Sequence, residues 1–126
     1  KYFDPVVEGL FGVFNYPGGT GNALQVKGID ICGKTGTVQN PHGKDHSVFI
    51  AFAPRDNPKI AIAVFVENAG FGGSAAAPIA SLIVEKYIKG HVDRKAVESK
   101  FMNMSYLANV VYNRPANRVK TDTLKK

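Results

Sequence analysis

Apolar residues recur at helical spacing near the start of the chain: Val6, Val7, Leu10, Phe11, Val13 and Phe14. Asp4-Pro5 ahead of them reads as a helix start, because Asp can cap free N–H groups and Pro fits the first helical position. Glu8 is expected in the first turn, where the helix dipole favours an anion. Asn15-Tyr16-Pro17-Gly18-Gly19 ends the helix, and Thr20-Gly21 continues it as a flexible loop. The pattern then changes period. Val26 to Gln39 places Ile29, Ile31 and Val38 among polar residues and predicts a strand. His46 to Ala53 and Lys59 to Glu67 are nearly continuous apolar runs, the pattern of strands covered on both faces. Asn40 to Asp45 joins the first two strands, and Pro54-Arg55-Asp56-Asn57-Pro58 is the turn of an antiparallel hairpin.

Ala69 to Ser74 reads as a loop ending in a capping Ser74. Ala75 to Lys89 follows as a helix, with Pro78 in its first turn and Ile79, Leu82, Ile83 and Tyr87 as its apolar stripe. Gly90 is a stop signal. Residues 94–112 predict another helix, and little order is expected past Asn113-Arg114-Pro115. The order is helix, three antiparallel strands, helix: an α+β chain with helices flanking a small sheet. Strands apolar on both faces need more cover than these helices supply, which implies missing partners.

The chain has 126 residues, 44% of them apolar and 21% charged, which suits one folded domain. It opens on Lys1-Tyr2-Phe3-Asp4 without Met or a signal-peptide pattern, so the expectation is a piece of a longer protein. One cysteine, Cys32, rules out an internal disulfide framework. The net charge of +6 is uneven, at +1 over residues 1–90 and +5 over residues 91–126. We therefore divide the chain into a body, 1–90, and a basic, partly helical tail, 91–126. The tail's cations, Arg94 among them, are scattered, as on a solvated end.

The chemistry concentrates in Gly28-Ile29-Asp30-Ile31-Cys32-Gly33-Lys34-Thr35-Gly36-Thr37. By letters, Gly28 to Thr35 fits a phosphate loop, but that device needs a helix to begin at the lysine. Ile-Asp-Ile-Cys alternates like a strand, and the β-branched residues and Pro41 that follow deny the helix. The other reading is a Lys-Thr-Gly-Thr strand at a sheet edge. There Thr35 and Thr37 project from one face, roughly 6.5–7 Å apart, placed so that both can donate to one carboxylate. Lys34 adds a positive charge, and Gly36 lets a ligand approach the backbone. An edge strand can also pair with an extended peptide, and one of its N–H groups can hold an oxyanion.

Lys34-Thr35-Gly36-Thr37 resembles the third motif of the penicillin-binding proteins and serine β-lactamases, whose set is S-x-x-K, S-x-N and K-T-G. Pro17-Gly18-Gly19-Thr20, Ala53-Pro54-Arg55-Asp56-Asn57-Pro58, Val66-Glu67-Asn68 and Gly72-Gly73-Ser74-Ala75-Ala76-Ala77-Pro78 extend the resemblance to the C-terminal third of class B penicillin-binding transpeptidases, over residues 3–90. The resemblance implies an incomplete piece of the penicillin-binding fold, an α/β sandwich. Lys34 would be catalytic, holding the S-x-N serine and assisting proton movement. Thr35, Gly36 and Thr37 would bind substrate: the hydroxyls take the terminal carboxylate, and the Thr37 N–H forms half of an oxyanion hole.

No Ser in this sequence has Lys three places on, and no S-x-N occurs. The chain alone is therefore expected to be inactive and to form no stable penicillin adduct. The partners implied are peptidoglycan stem peptides and β-lactams, bound by a parent anchored on the outer face of the cytoplasmic membrane. No cofactor is required by that chemistry. In the family two further strands lie beside the one at 59–67, so self-association through an open sheet edge is expected of this chain. The competing class is a non-enzymatic β-sheet interaction module.

Other features read as structural. His42 and His46 have metal-like spacing, but Pro41 and Gly43 deny a helix, and they read as loop histidines. Cys32 reads as a packed thiol, Glu67-Asn68 as a strand end. Tyr106 and Tyr112 bring no stacking motif, so no nucleic-acid partner is expected.

Overall fold

The computed structural model describes residues 2–107. Helix α1 spans Phe3–Asn15, strands β1, β2 and β3 span Cys32–Val38, His46–Ala53 and Ile60–Val66, and helices α2 and α3 span Ala76–Lys89 and Lys95–Met102. The strands form one antiparallel sheet in the order β1-β2-β3. The expected α+β order is observed. Residues 108–112 of the last expected helix, and the tail past Asn113, lie outside the described residues.

Register assigns the two faces. Thr35 pairs with Phe49 and Phe49 with Val64, while Gly36 pairs with Val48 and Val48 with Phe65. The first set faces the helices. Phe49, Ala51 and Ala53 are buried there with Phe14, Ala76, Ala77, Ala80 and Val84. The Phe14 and Phe49 rings meet at 5.4 Å between centroids. Phe49 needs Gly33 beneath it, since a Cβ on Gly33 would lie 2.3 Å from its ring. The second set is apolar too, yet Ile50 and Phe65 remain 53% and 55% exposed. Among the described residues the second face is thus left open over much of β2 and β3, although those two strands are apolar on both faces.

Several local expectations are corrected. Asp4 lies within the first turn of α1 rather than capping it, because the helix already begins at Phe3. Glu8, a turn further on, accepts from the Tyr16 hydroxyl and from Arg55 at 2.7 Å, tying α1 to the β2–β3 turn. The first strand starts at Cys32, not Val26: Gly28, at φ 78°, closes a turn in which the Ile29 N–H donates to the Val26 carbonyl at 3.0 Å.

Helix α2 turns a different face to the sheet from the one its large residues suggest. Ala76, Ala77, Ala80, Ser81 and Val84 face inward, and Ile83 and Tyr87 are exposed. Small residues let the helix axis approach the sheet closely. Its N-terminus is not capped by Ser74. The Ala76 N–H instead donates to the buried Ser47 hydroxyl on β2 at 2.9 Å, and that hydroxyl donates to the Phe71 carbonyl at 2.9 Å. Gly90, at φ 78°, ends the helix as expected.

Arg94 is not a solvated tail residue. Its Nε donates to the buried Glu85 carboxylate at 2.9 Å, and its other nitrogens to the Ser81 hydroxyl and the Leu24 carbonyl at 3.2 and 3.1 Å. His46 also differs from the loop reading: it opens β2, and its Nδ1 accepts from the Asn68 N–H at 3.0 Å.

Candidate active site

The four residues singled out for chemistry, Lys34, Thr35, Gly36 and Thr37, all lie on β1, an edge strand paired only with β2 among the described residues. No helix begins at Lys34, so the phosphate-loop arrangement is absent. Thr35 and Thr37 share one face, opposite Phe49 and Ser47 respectively. Lys34 belongs to the other face by alternation, but its side chain folds around the edge. There its ammonium donates to the Thr35 carbonyl at 2.8 Å. That carbonyl therefore points away from β2. In an antiparallel ladder the residues that point outward alternate, so Thr37 also presents its N–H and C=O on the unpaired side.

Two loops frame the edge. The first, residues 16–25 after α1, brings the Thr20 hydroxyl to 3.1 Å from the Thr35 hydroxyl. Two of its glycines, Gly19 and Gly21, serve close approach rather than flexibility. A Cβ on Gly19 would lie 2.4 Å from the Val13 carbonyl oxygen, and one on Gly21 2.6 Å from the Phe14 ring. Asn22 donates to the Tyr16 carbonyl at 3.1 Å and Gln25 to the Phe14 carbonyl at 2.8 Å. The second loop, residues 67–75 between β3 and α2, crosses the sheet at Gly72. A Cβ there would lie 2.5 Å from the carbonyl oxygens of Gly36 and Val48. The tight backbone crossing of this region is therefore at Gly72. A Cβ on Gly36 would meet only Val48 at 3.5 Å, an ordinary contact. The two loops meet where Gly73 approaches the Thr20 carbonyl.

Cys32, at the start of the same strand, is fully buried. Burial pushes its thiol up, with the Arg55 charge pulling weakly the other way. This is the behaviour of a packed thiol and not of an activated one.

The arrangement is an edge strand, open on one side among the described residues and framed by two loops. It offers two hydroxyls on one face, a lysine at the rim, and outward backbone groups for an extended ligand. Thr20, Ser47 and Gly72 contribute to it and were not singled out by sequence. Thr20 belongs to the Pro17-Gly18-Gly19-Thr20 segment, but nothing in its spacing announces that it reaches Thr35.

Residues 1–85 match the model of the penicillin binding protein transpeptidase domain, and the chain belongs to that family. Within it, the chain is 38% identical over 97 residues to the peptidoglycan D,D-transpeptidase MrdA of Haemophilus influenzae, covering 64% of this chain and 15% of that protein. Among solved structures it is similar to penicillin-binding protein 2 of Pseudomonas aeruginosa, with TM-score 0.61 and 34% identity over 74% of this chain and 21% of that one. It is also similar to the ceftriaxone acyl-enzyme complex of penicillin-binding protein A from Mycobacterium tuberculosis, with TM-score 0.58 and 33% identity over 66% and 20% of the two chains. The chain thus spans about 15% of the curated relative and about a fifth of each solved chain.

Proposed function

We propose that this chain is the part of a peptidoglycan D,D-transpeptidase that forms the carboxylate-binding wall of its active site. The observation that carries the proposal is the Lys34–Thr37 strand at an unpaired sheet edge, its two threonine hydroxyls on one face, within the family match. A stem peptide ending in D-Ala-D-Ala lies along β1 with its terminal carboxylate on Thr35 and Thr37. The Thr37 N–H receives the oxyanion that develops as a serine from the rest of the parent attacks the penultimate carbonyl. The C–N bond to the terminal D-Ala breaks, the departing amine takes a proton, and an acyl-serine remains. An amine of a neighbouring stem then attacks that ester and frees the serine, giving the cross-link.

Lys34 acts by its charge and by holding a second-motif serine. A β-lactam places its own carboxylate on the same hydroxyls and acylates the same serine. The parent works on the outer face of the cytoplasmic membrane. These 126 residues contain no S-x-x-K, so the chain alone carries out neither acylation. It self-associates instead through the apolar edge of β3.

The test is fluorescent penicillin labelling. The full-length gene product should label covalently and the 126-residue chain should not. A full-length product that takes no label overturns the enzymatic reading. Separately, sedimentation of the 126-residue chain as a clean monomer at tens of micromolar, about the range used for such runs, would overturn the self-association.

A further inference from the structure

We propose that Thr20 is a positioning residue for carboxylate recognition: its hydroxyl donates to the Thr35 hydroxyl and so directs the Thr35 proton at the ligand. The proposal rests on the transpeptidase reading above and adds a residue to it. The two oxygens stand 3.1 Å apart, close enough for one hydrogen bond.

A hydroxyl has one proton to give and lone pairs to accept with. If Thr35 spends its proton on Thr20, none remains for an anion. If Thr20 donates, a Thr35 lone pair is occupied, and its proton is turned outward and polarised for a negatively charged acceptor. A bound carboxylate selects the second arrangement. The two threonines of the motif are therefore unequal. Thr37 has no comparable side-chain hydrogen bond among the described residues, whereas Thr35 is set beforehand.

Such a role requires that Thr20 be held, and its loop is held from three sides. On the near side, the Gly21 N–H donates to the Val13 carbonyl at 2.9 Å and the Gly19 N–H to the Tyr16 carbonyl at 3.0 Å. Beneath, Gln25 reaches the Phe14 carbonyl at 2.8 Å. Behind, Arg94 holds the Leu24 carbonyl at 3.1 Å while anchored on the buried Glu85. This last anchor comes from beyond residue 85, where the family match ends.

The experiment uses the full-length gene product and compares acylation by penicillin G with acylation by its methyl ester, which lacks the anion. Thr20→Val keeps the shape and removes the hydroxyl, and Thr20→Ser restores the hydroxyl. We expect Thr20→Val to lower the second-order acylation rate for penicillin G by roughly threefold to tenfold, the size of one hydrogen bond. The methyl-ester rate should stay unchanged, and Thr20→Ser should behave as wild type. Equal losses with both reagents would mean that Thr20 only supports the fold, and no loss with either would mean that it is idle. Both results overturn the proposal. A wild-type protein acylated by neither reagent overturns the transpeptidase reading itself, and this proposal with it.

Discussion

The two outer strands of the sheet have the same geometry and opposite chemistry. Each is paired on one side only among the described residues. Strand β1 reads Cys-Gly-Lys-Thr-Gly-Thr-Val, and β3 reads Ile-Ala-Ile-Ala-Val-Phe-Val without one polar side chain. An unpaired strand is a template for another strand, and charge or small polar residues decide what it accepts. The β1 edge carries an ammonium and two hydroxyls and is framed by two loops, so it suits a single extended ligand with an anionic end. The β3 edge carries nothing that discriminates and suits permanent burial against more protein. Edge geometry alone therefore does not mark a binding site. The side chains and the framing loops do.

That contrast can be broken in several ways. The largest effect is expected at Arg94, which props the β1 edge from behind. Arg94→Met leaves the buried Glu85 carboxylate with only Lys89 at 3.7 Å and the Asp93 N–H at 3.3 Å among the described residues. It should destabilise the chain by about 3 kcal/mol in a denaturant titration. A loss under about 0.5 kcal/mol would show that the loop carrying Thr20 does not depend on this anchor. Next comes Ser47→Ala, which removes the hydroxyl joining β2 to α2 and to the loop at Phe71. A cost of about 1–3 kcal/mol is expected, because the Ala76 N–H is left buried and unpaired. Smaller in stability but decisive for the other edge is Phe65→Lys. It should change unfolding by no more than about 0.5 kcal/mol and shift the sedimentation profile toward monomer. The same profile with lysine in place would move the self-association away from β3.

The smallest effect concerns pH. The Tyr16 hydroxyl and then Arg55 hold the Glu8 carboxyl below its ordinary range, and Glu8 holds the Tyr16 phenol above its own. For Glu8, the stabilisation is present above the unfolded carboxylate pKa and lost as pH falls through the lower folded value. For Tyr16, it is present below the unfolded phenol pKa and lost as pH rises through the higher folded one. Glu8→Gln should flatten the acid limb of a melting-temperature profile. A limb of unchanged steepness would show that the pair contributes nothing at this exposed site.

Much of this was legible in the sequence, for reasons that also explain what was not. Strand β2 was bounded to the residue by Asp45 and Pro54, and β3 to within one, because Pro, Asp and Asn punctuate apolar runs sharply. The strand placement of Lys34–Thr37 followed from the alternation before it and the β-branched residues ended by Pro41, whereas its position at the sheet edge is set by the pairing. The inward face of α2 was misjudged because pattern reading weighs large apolar residues, whereas close helix–sheet packing selected Ala76, Ala77 and Ala80. The start of β1 was misjudged because Gly28 adopts a left-handed turn that composition does not announce. Arg94 looked like one cation among many, since its partner Glu85 becomes buried only when α2 docks. Thr20 stands 15 residues from Thr35, and only the fold of the intervening loop closes that interval.

The Ser47 hydroxyl has a consequence for how the chain acquires its shape. A 14-residue segment such as α2 is marginal as an isolated helix in water. Here the group that completes its first turn is lent by a strand 29 positions earlier. The helix is thus fully bonded only once the hairpin has assembled beneath it. Completion of the helix's first turn is therefore coupled to assembly of the strand that lends it the hydroxyl.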